Sequence, residues 1–198
     1  MNLTVRPATP SDLAALIFLG RTTFVETYLG MGAPRPEGLE QRYGEATFNE
    51  AKLLPLLNAT ESNPKRPQFH LLQDSETPIG YMRLDFEEPP PCVPPGTWGH
   101  LAQVYVLKTA QGKGAGKMLL QEAFRQTRLA SCSGLWLTVY DQNSAALEFY
   151  KTMGFLTVGS TEWRFNDQGR PYVDQDLVLI GHSDSPILTP PRQDRRPP

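Results

Sequence analysis

The sequence predicts one mixed α/β domain, an α+β arrangement with helices on the faces of a partly parallel sheet. Three observations carry this. The chain has 198 residues, 39% of them hydrophobic, which suits one sizeable core at the ~100–200 residues common for compact domains. From His100 onward, apolar segments read as strand, helix, strand, helix, strand, an order that brings parallel pairing with it. No internal repeat divides the chain, and its prolines gather in two places, residues 89–95 and the C-terminal tail.

Residues 3–6 read as the opening strand. They lead into a helix that Ser11 caps, with Asp12 in its first turn and Leu13, Leu16, Ile17 and Phe24 at helical spacing. Thr47, with Glu50 three residues on, marks a second helix start before Leu53, Leu54, Leu56 and Leu57, although Pro55 fits a first turn better than a helix interior. Residues 69–73 and 79–86 flank the polar segment DSETP and form a hairpin. The five prolines of residues 89–95 make a stiff surface loop of polyproline character.

Next come a strand at 102–107, the loop QGKGAG at 111–116, a helix carrying Met118, Leu119, Ala123 and Phe124, and a strand at 135–140. A short helix follows at 143–152, then a strand from Phe155, and DQGR turns the chain into a strand at 172–180. Residues 1–182 are expected to form the domain. Residues 183–198 are expected to be disordered, because a segment of Pro, Arg and Asp with little apolar content cannot offset its ordering entropy.

Composition narrows the function classes. With 19 Lys plus Arg against 21 Asp plus Glu, the net charge is −2, so no global basic field exists for gripping nucleic acid. No stretch approaches the roughly 20 apolar residues of a membrane span, and the start lacks a charged segment followed by an apolar run. Cys92 and Cys132 lie far apart, and His70, His100 and His182 are scattered, so we expect neither a zinc site nor any other metal, and a reduced, cytoplasmic protein.

The loop Gln111, Gly112, Lys113, Gly114, Ala115, Gly116 lies between a strand and a helix. Unpaired backbone N–H groups and the positive end of the helix dipole make that junction an anion site. Its glycines let backbone donors approach closely, and Lys113 and Lys117 add charge; the plainer reading is a flexible connector. Two common phosphate loops fail by counting. The Walker pattern needs Gly at the position of Gln111 and Ser or Thr at that of Met118; the dinucleotide fingerprint needs Gly where Lys117 stands.

What remains is Q-x-x-G-x-G after a strand, followed by N-x-x-A-x-x-F-Y-x-x-x-G-F, the latter being Asn143, Ala146, Phe149, Tyr150, Gly154 and Phe155. Together these resemble the acetyl-coenzyme A binding core of the GCN5-related N-acetyltransferase (GNAT) family, over roughly residues 79–160. Residues 22–28, residues 136–155 and the ending with Asp176 look similar to its PaiA-like branch, which includes polyamine acetyltransferases.

The resemblance implies acetyl-coenzyme A as acetyl donor and a splayed central pair of parallel strands. It puts the pantetheine arm against the backbone of Val104, Tyr105 and Val106, the phosphates on residues 111–117, and Asn143 and Tyr150 beside the arm and sulfur, Tyr150 as general acid. Each residue also has a structural reading. Val104 and Val106 are ordinary strand residues, Asn143 a helix cap, Lys113 and Lys117 solvated helix-start charges, and Tyr150 an aromatic one turn beyond Ala146. Many relatives carry an acid on the strand before the loop, where this chain has Gln103. Glu26, Glu87, Glu88 or a water relay are therefore the candidate bases, and Tyr28, Glu87 and Gln103 the candidate acceptor-pocket residues.

Acids at Asp85, Glu87 and Glu88 would favour a small cationic amine such as a polyamine. A peptide or protein amine, amino-terminal or lysine, is the alternative acceptor, and a coenzyme A-binding regulatory module the alternative function. The likeness also implies a homodimer, an assembly frequent among relatives.

Overall fold

The computed structural model describes residues 2–32, 35–59 and 66–183. Its strands are β1 (Leu3–Pro7), β2 (Gln68–Asp74), β3 (Thr77–Asp85), β4 (Trp98–Val106), β5 (Gly134–Tyr140), β6 (Leu156–Asp167) and β7 (Arg170–His182). Its helices are α1 (Leu13–Tyr28), α2 (Leu39–Thr47), α3 (Glu50–Leu57), α4 (Ala115–Leu129) and α5 (Ser144–Thr152). The strands form one sheet in the order β1-β2-β3-β4-β5-β7-β6. Only β4 and β5 run parallel; the other neighbours are antiparallel.

Helices cover both faces. On one, α4 presents Leu119, Leu120, Ala123 and Phe124 at helical spacing, and with α5 it buries Leu84, Leu101, Leu135, Leu137 and Leu179 of the sheet. On the other, α1 and α3 bury Leu16, Leu19 and Leu53 against Phe69, Leu71 and Tyr81. A smaller cluster of Trp98, Trp136, Val178 and Ile180 lies away from α4, and the proline-rich loop closes it with Val93 while Trp98 Nε1 donates to Pro94 O at 2.9 Å. The loop expected to be a stiff surface feature is thus also the roof of a third, smaller core.

The first helix starts differently from expectation. Thr9, not Ser11, opens it, through a short 3-10 turn in which the Thr9 N–H donates to Asp12 Oδ2 at 2.8 Å. Arg6 grips Asp12 with two bonds of 2.7 and 2.8 Å and holds its carboxyl down at about 2. The second cap signal falls on Thr47, which instead ends α2; Asn49 caps α3 by accepting the Lys52 N–H at 3.1 Å. Helix α2, with few apolar residues, was not expected, and Pro55 lies inside α3 rather than in its first turn. Residues 184–198 of the expected tail lie outside the described residues, while Ser183 bonds back to Ser133 and Cys132.

The feature that positions the site is local. β4 pairs with β5 only at Trp98–Gly134, Gly99–Leu135 and His100–Trp136. Immediately beyond, Arg83 pairs with Gln103 and Leu84 with Leu101, so Ala102 is an extra residue in β4, a β-bulge. A bulge bends its strand and sharpens the local twist. The two parallel strands part there.

Candidate functional site

Between the diverging strands lies a cavity of about 470 Å³. Its walls are residues 101–106 of β4, Thr138 and Val139 of β5, the start of α4, the start and Tyr150 of α5, and Glu26 and Tyr28 of α1. From residue 101 on, β4 has no ladder partner on the β5 side, so its backbone edge there is available to an extended ligand.

Gly112 and Gly114 take φ angles of +73° and +83°, which most side chains resist, and a Cβ at either would meet no atom within 4 Å. They are glycines for their backbone conformation, and the space over them is open. The first bond back from α4 to its cap is Met118 N–H to Gly114 O at 3.1 Å, so the amides of Ala115, Gly116 and Lys117 precede the helical ladder and are free to face an anion. The Gln111 side chain donates to Val106 O at 3.0 Å and ties the loop to the end of β4.

Of the twelve residues expected at the cofactor, eleven line this cavity: Val104, Tyr105 and Val106 of β4, Gln111, Gly112, Gly114, Ala115, Gly116 and Lys117 of the loop and helix start, Asn143 of the α5 cap, and Tyr150. Lys113 does not; its Nζ turns back onto Thr109 O at 3.0 Å. Asn143 Oδ1 accepts the Ala146 N–H at 3.1 Å, which establishes its capping role, and the residue also lines the cavity. These residues fit a coenzyme with a diphosphate and an amide-bearing arm: donors at a helix start, a bare strand edge, and a groove between them.

Tyr150 rests against Phe149 and Phe155, with ring centroids 5.2 and 5.4 Å away, and its hydroxyl has no hydrogen-bond partner among the described residues. Burial pushes its pKa up, as it does for Tyr28 and Tyr105. All three phenols stay protonated at neutral pH. They can donate protons and cannot serve as bases. Gln103 accepts from the buried Tyr81 hydroxyl at 3.1 Å, and Glu26 Oε2 accepts the Lys108 N–H at 2.9 Å at the cavity rim.

Glu87 is placed elsewhere. Its Oε1 lies 2.6 Å from His100 Nδ1, beside Asp85, which Arg83 holds at 2.6 Å; none of these lines the cavity. Glu26 is the acid on the cavity lining itself, and behind that lining stand further acids from β7 and α2. Asp176 is 9% exposed, has Thr138 diagonally across from it on β5, and is pushed up to about 6, first by burial and then by Asp174 and Asp141. Arg35 bonds Asp174 at 2.5 Å, lies 3.8 Å from Glu40 and sits over the Tyr140 ring at 5.2 Å. Sequence reasoning gave Asp176 no chemical role, because its nearness to Thr138 depends on β7 inserting between β5 and β6.

Residues 35–155 match the model of the acetyltransferase (GNAT) family. The chain is 32% identical over 115 residues to a peptidyl-lysine N-acetyltransferase, YjaB, of Salmonella typhimurium, covering 58% of this chain and 66% of that relative. In structure it is similar to a PaiA N-acetyltransferase from Thermoplasma acidophilum solved in complex with coenzyme A, with TM-score 0.71 and 22% identity over 92% of this chain and 99% of the other. It is also similar to yncA, described as a putative acetyltransferase, from Salmonella typhimurium solved with acetyl-coenzyme A, with TM-score 0.58 and 18% identity over 93% and 95% of the two chains.

Proposed function

The chain belongs to the acetyltransferase (GNAT) family, with acetyl-coenzyme A as acetyl donor, and from that premise we propose that it acetylates a small cationic primary amine by direct attack within a ternary complex. The observation that carries this reading is the parting of β4 and β5 beyond His100 and Trp136. It gathers the loop, the strand edge, Asn143 and Tyr150 around one cavity.

When bound, acetyl-coenzyme A supplies an activated thioester. The amides of residues 115–117 hold the diphosphate, Lys117 assists, and the β4 edge from Val104 to Val106 aligns the arm. Tyr150 protonates the departing thiolate: a phenol that burial keeps protonated is a fitting donor to a thiol of pKa about 8.5. Tyr28 and Gln103 border the acceptor side.

The preference for a cation rests on different acids from those the sequence suggested. Glu87 lies off the cavity beside His100, whereas Asp174, Asp176 and Glu40 stand behind the cavity wall near Tyr28 and Tyr140, an acidic and aromatic surround suited to an ammonium group. A peptide lysine carries the same primary alkylammonium, and the Salmonella relative named for peptidyl-lysine acetylation favours it as second reading. The free thiols of Cys92 and Cys132 are compatible with a cytoplasmic setting.

The test is thiol release from acetyl-coenzyme A with a panel of polyamines, amino acids, aminoglycosides and lysine peptides. Turnover highest on free polyamines supports the first reading, and turnover on peptides alone replaces it with the second. Cofactor binding with no turnover on any amine would overturn both in favour of a coenzyme A-sensing module.

A further inference from the structure

Transfer to an amine begins with an ammonium ion that must lose a proton, and β4 offers Gln103 for that task, a side chain that cannot take one. The cavity's three tyrosines are held protonated by burial. Glu26 stands at the rim with its carboxylate already accepting the Lys108 amide.

We propose that Asp176 of β7 is the proton acceptor for the incoming amine, working from behind Thr138 and Tyr28 in place of the acid that β4 lacks. Three features of its placement support this. It pairs with Tyr140 at the splayed end of β5, so the sheet carries it to the same end of the molecule as the cavity. Thr138, on the cavity wall, is its diagonal cross-strand neighbour on the same face of the sheet, so one polar side chain separates carboxylate from cavity. It is 9% exposed, and the nearby Arg35 is bonded to Asp174 instead, an environment that favours picking up a proton.

The charged and titratable neighbours are Asp174 on β7 and Asp141 after β5, which both raise its pKa, and Tyr28 of α1 facing it; Arg35 is spent on Asp174, and Thr161 is its partner on β6. Asp176 thereby titrates at about 6 and is ionised at neutral pH while remaining basic enough to act.

The step balances. An ammonium N–H proton passes over a water to the Asp176 carboxylate, which lies behind the cavity wall. The freed nitrogen lone pair forms the N–C bond as the C–S bond breaks, and Tyr150 gives its phenolic proton to the thiolate. The acylated nitrogen sheds its second N–H proton, which restores Tyr150, and Asp176 releases its proton to solvent, so one proton is produced per acetylation.

The inference rests on the acetyltransferase reading, and the experiment separates the two. In Asp176→Asn we expect coenzyme A affinity unchanged and kcat/KM at pH 7.5 lowered about a hundredfold. In the native enzyme kcat/KM should fall below a limb near pH 6, absent in the variant. Thr138→Val removes a neighbouring hydroxyl that favours the carboxylate form and should move that limb to higher pH.

A readout without substrate is thermal stability of the ligand-free protein. The native state keeps a proton on Asp176 that the unfolded chain, at 3.8, releases, so this group's contribution to stability is full below 3.8 and is lost as pH rises to about 6. Asp176→Asn should therefore be relatively more stable than the native protein at pH 7.5 than at pH 3.5. Native activity without a limb near pH 6, or a variant within twofold of native activity, overturns Asp176 as acceptor. Native protein that binds coenzyme A and acetylates nothing instead overturns the acetyltransferase reading itself.

Discussion

The two ends of the β4–β5 pair show the same two strands put to opposite uses. At one end, Trp98, Gly99 and His100 pair in register with Gly134, Leu135 and Trp136, and the indoles of Trp98 and Trp136 lie 4% exposed beneath the proline-rich loop. At the other, past the bulge at Ala102, pairing stops and the strand edges face a cavity lined by Gln103, Thr138 and Tyr150. Backbone groups satisfied by a neighbour make structure; those left unsatisfied beside open space make a site. The closed end should govern stability and the open end affinity and rate.

The largest effect expected is at the closed end. Trp98→Ala removes a buried indole and its bond to Pro94 O, and should cost about 3–5 kcal/mol by denaturant unfolding with coenzyme A affinity of the folded fraction unchanged. A drop in affinity as large as the drop in stability would break the division between the ends. Tyr150→Phe should lower kcat about tenfold to a thousandfold, or about 1.4–4 kcal/mol of barrier, and leave coenzyme A affinity nearly intact in a calorimetric titration. Unchanged turnover would remove Tyr150 from the chemistry.

Smaller is Gly114→Val, which forces a β-branched residue to φ near +83° and should weaken coenzyme A binding by about 1–2 kcal/mol, roughly tenfold, by displacing the amides that follow. Equal affinity would make the loop a connector. Smallest is Lys113→Ala. Its ammonium is held on Thr109 O away from the cavity, so coenzyme A affinity should change less than about twofold, whereas Lys117→Ala at the cavity wall should weaken it more. The reverse ranking would show that the loop reorganises around its ligand.

The legible parts of this molecule are those where local spacing and chemistry coincide. The hairpin of β6 and β7 turns at Gln168 and Gly169, both with positive φ, where DQGR foretells a tight turn. The amphipathic face of α4, the Asn143 cap and the glycine loop were readable for the same reason: each is decided within a few residues. α2 was not, because LEQRYGEAT has little apolar periodicity and is held by long-range partners, Arg42 to Asp167 at 2.7 Å and Tyr43 against Trp163 and Phe165. Glu87 drew attention as an acid near the end of its strand, but the register that sets Asp85 opposite His100 carries it away from the cavity.

The sequence by itself determined the mixed α/β class, the glycine loop at a helix start and the tyrosine one turn beyond Ala146, since helix caps, glycine conformations and side-chain periodicity are short-range properties of the chain. Only the tertiary structure decided where the parallel strands part and which carboxylate stands beside the opening. Those depend on a single extra residue in β4 and on β7 crossing back between β5 and β6, pairings between distant segments whose register no local spacing encodes.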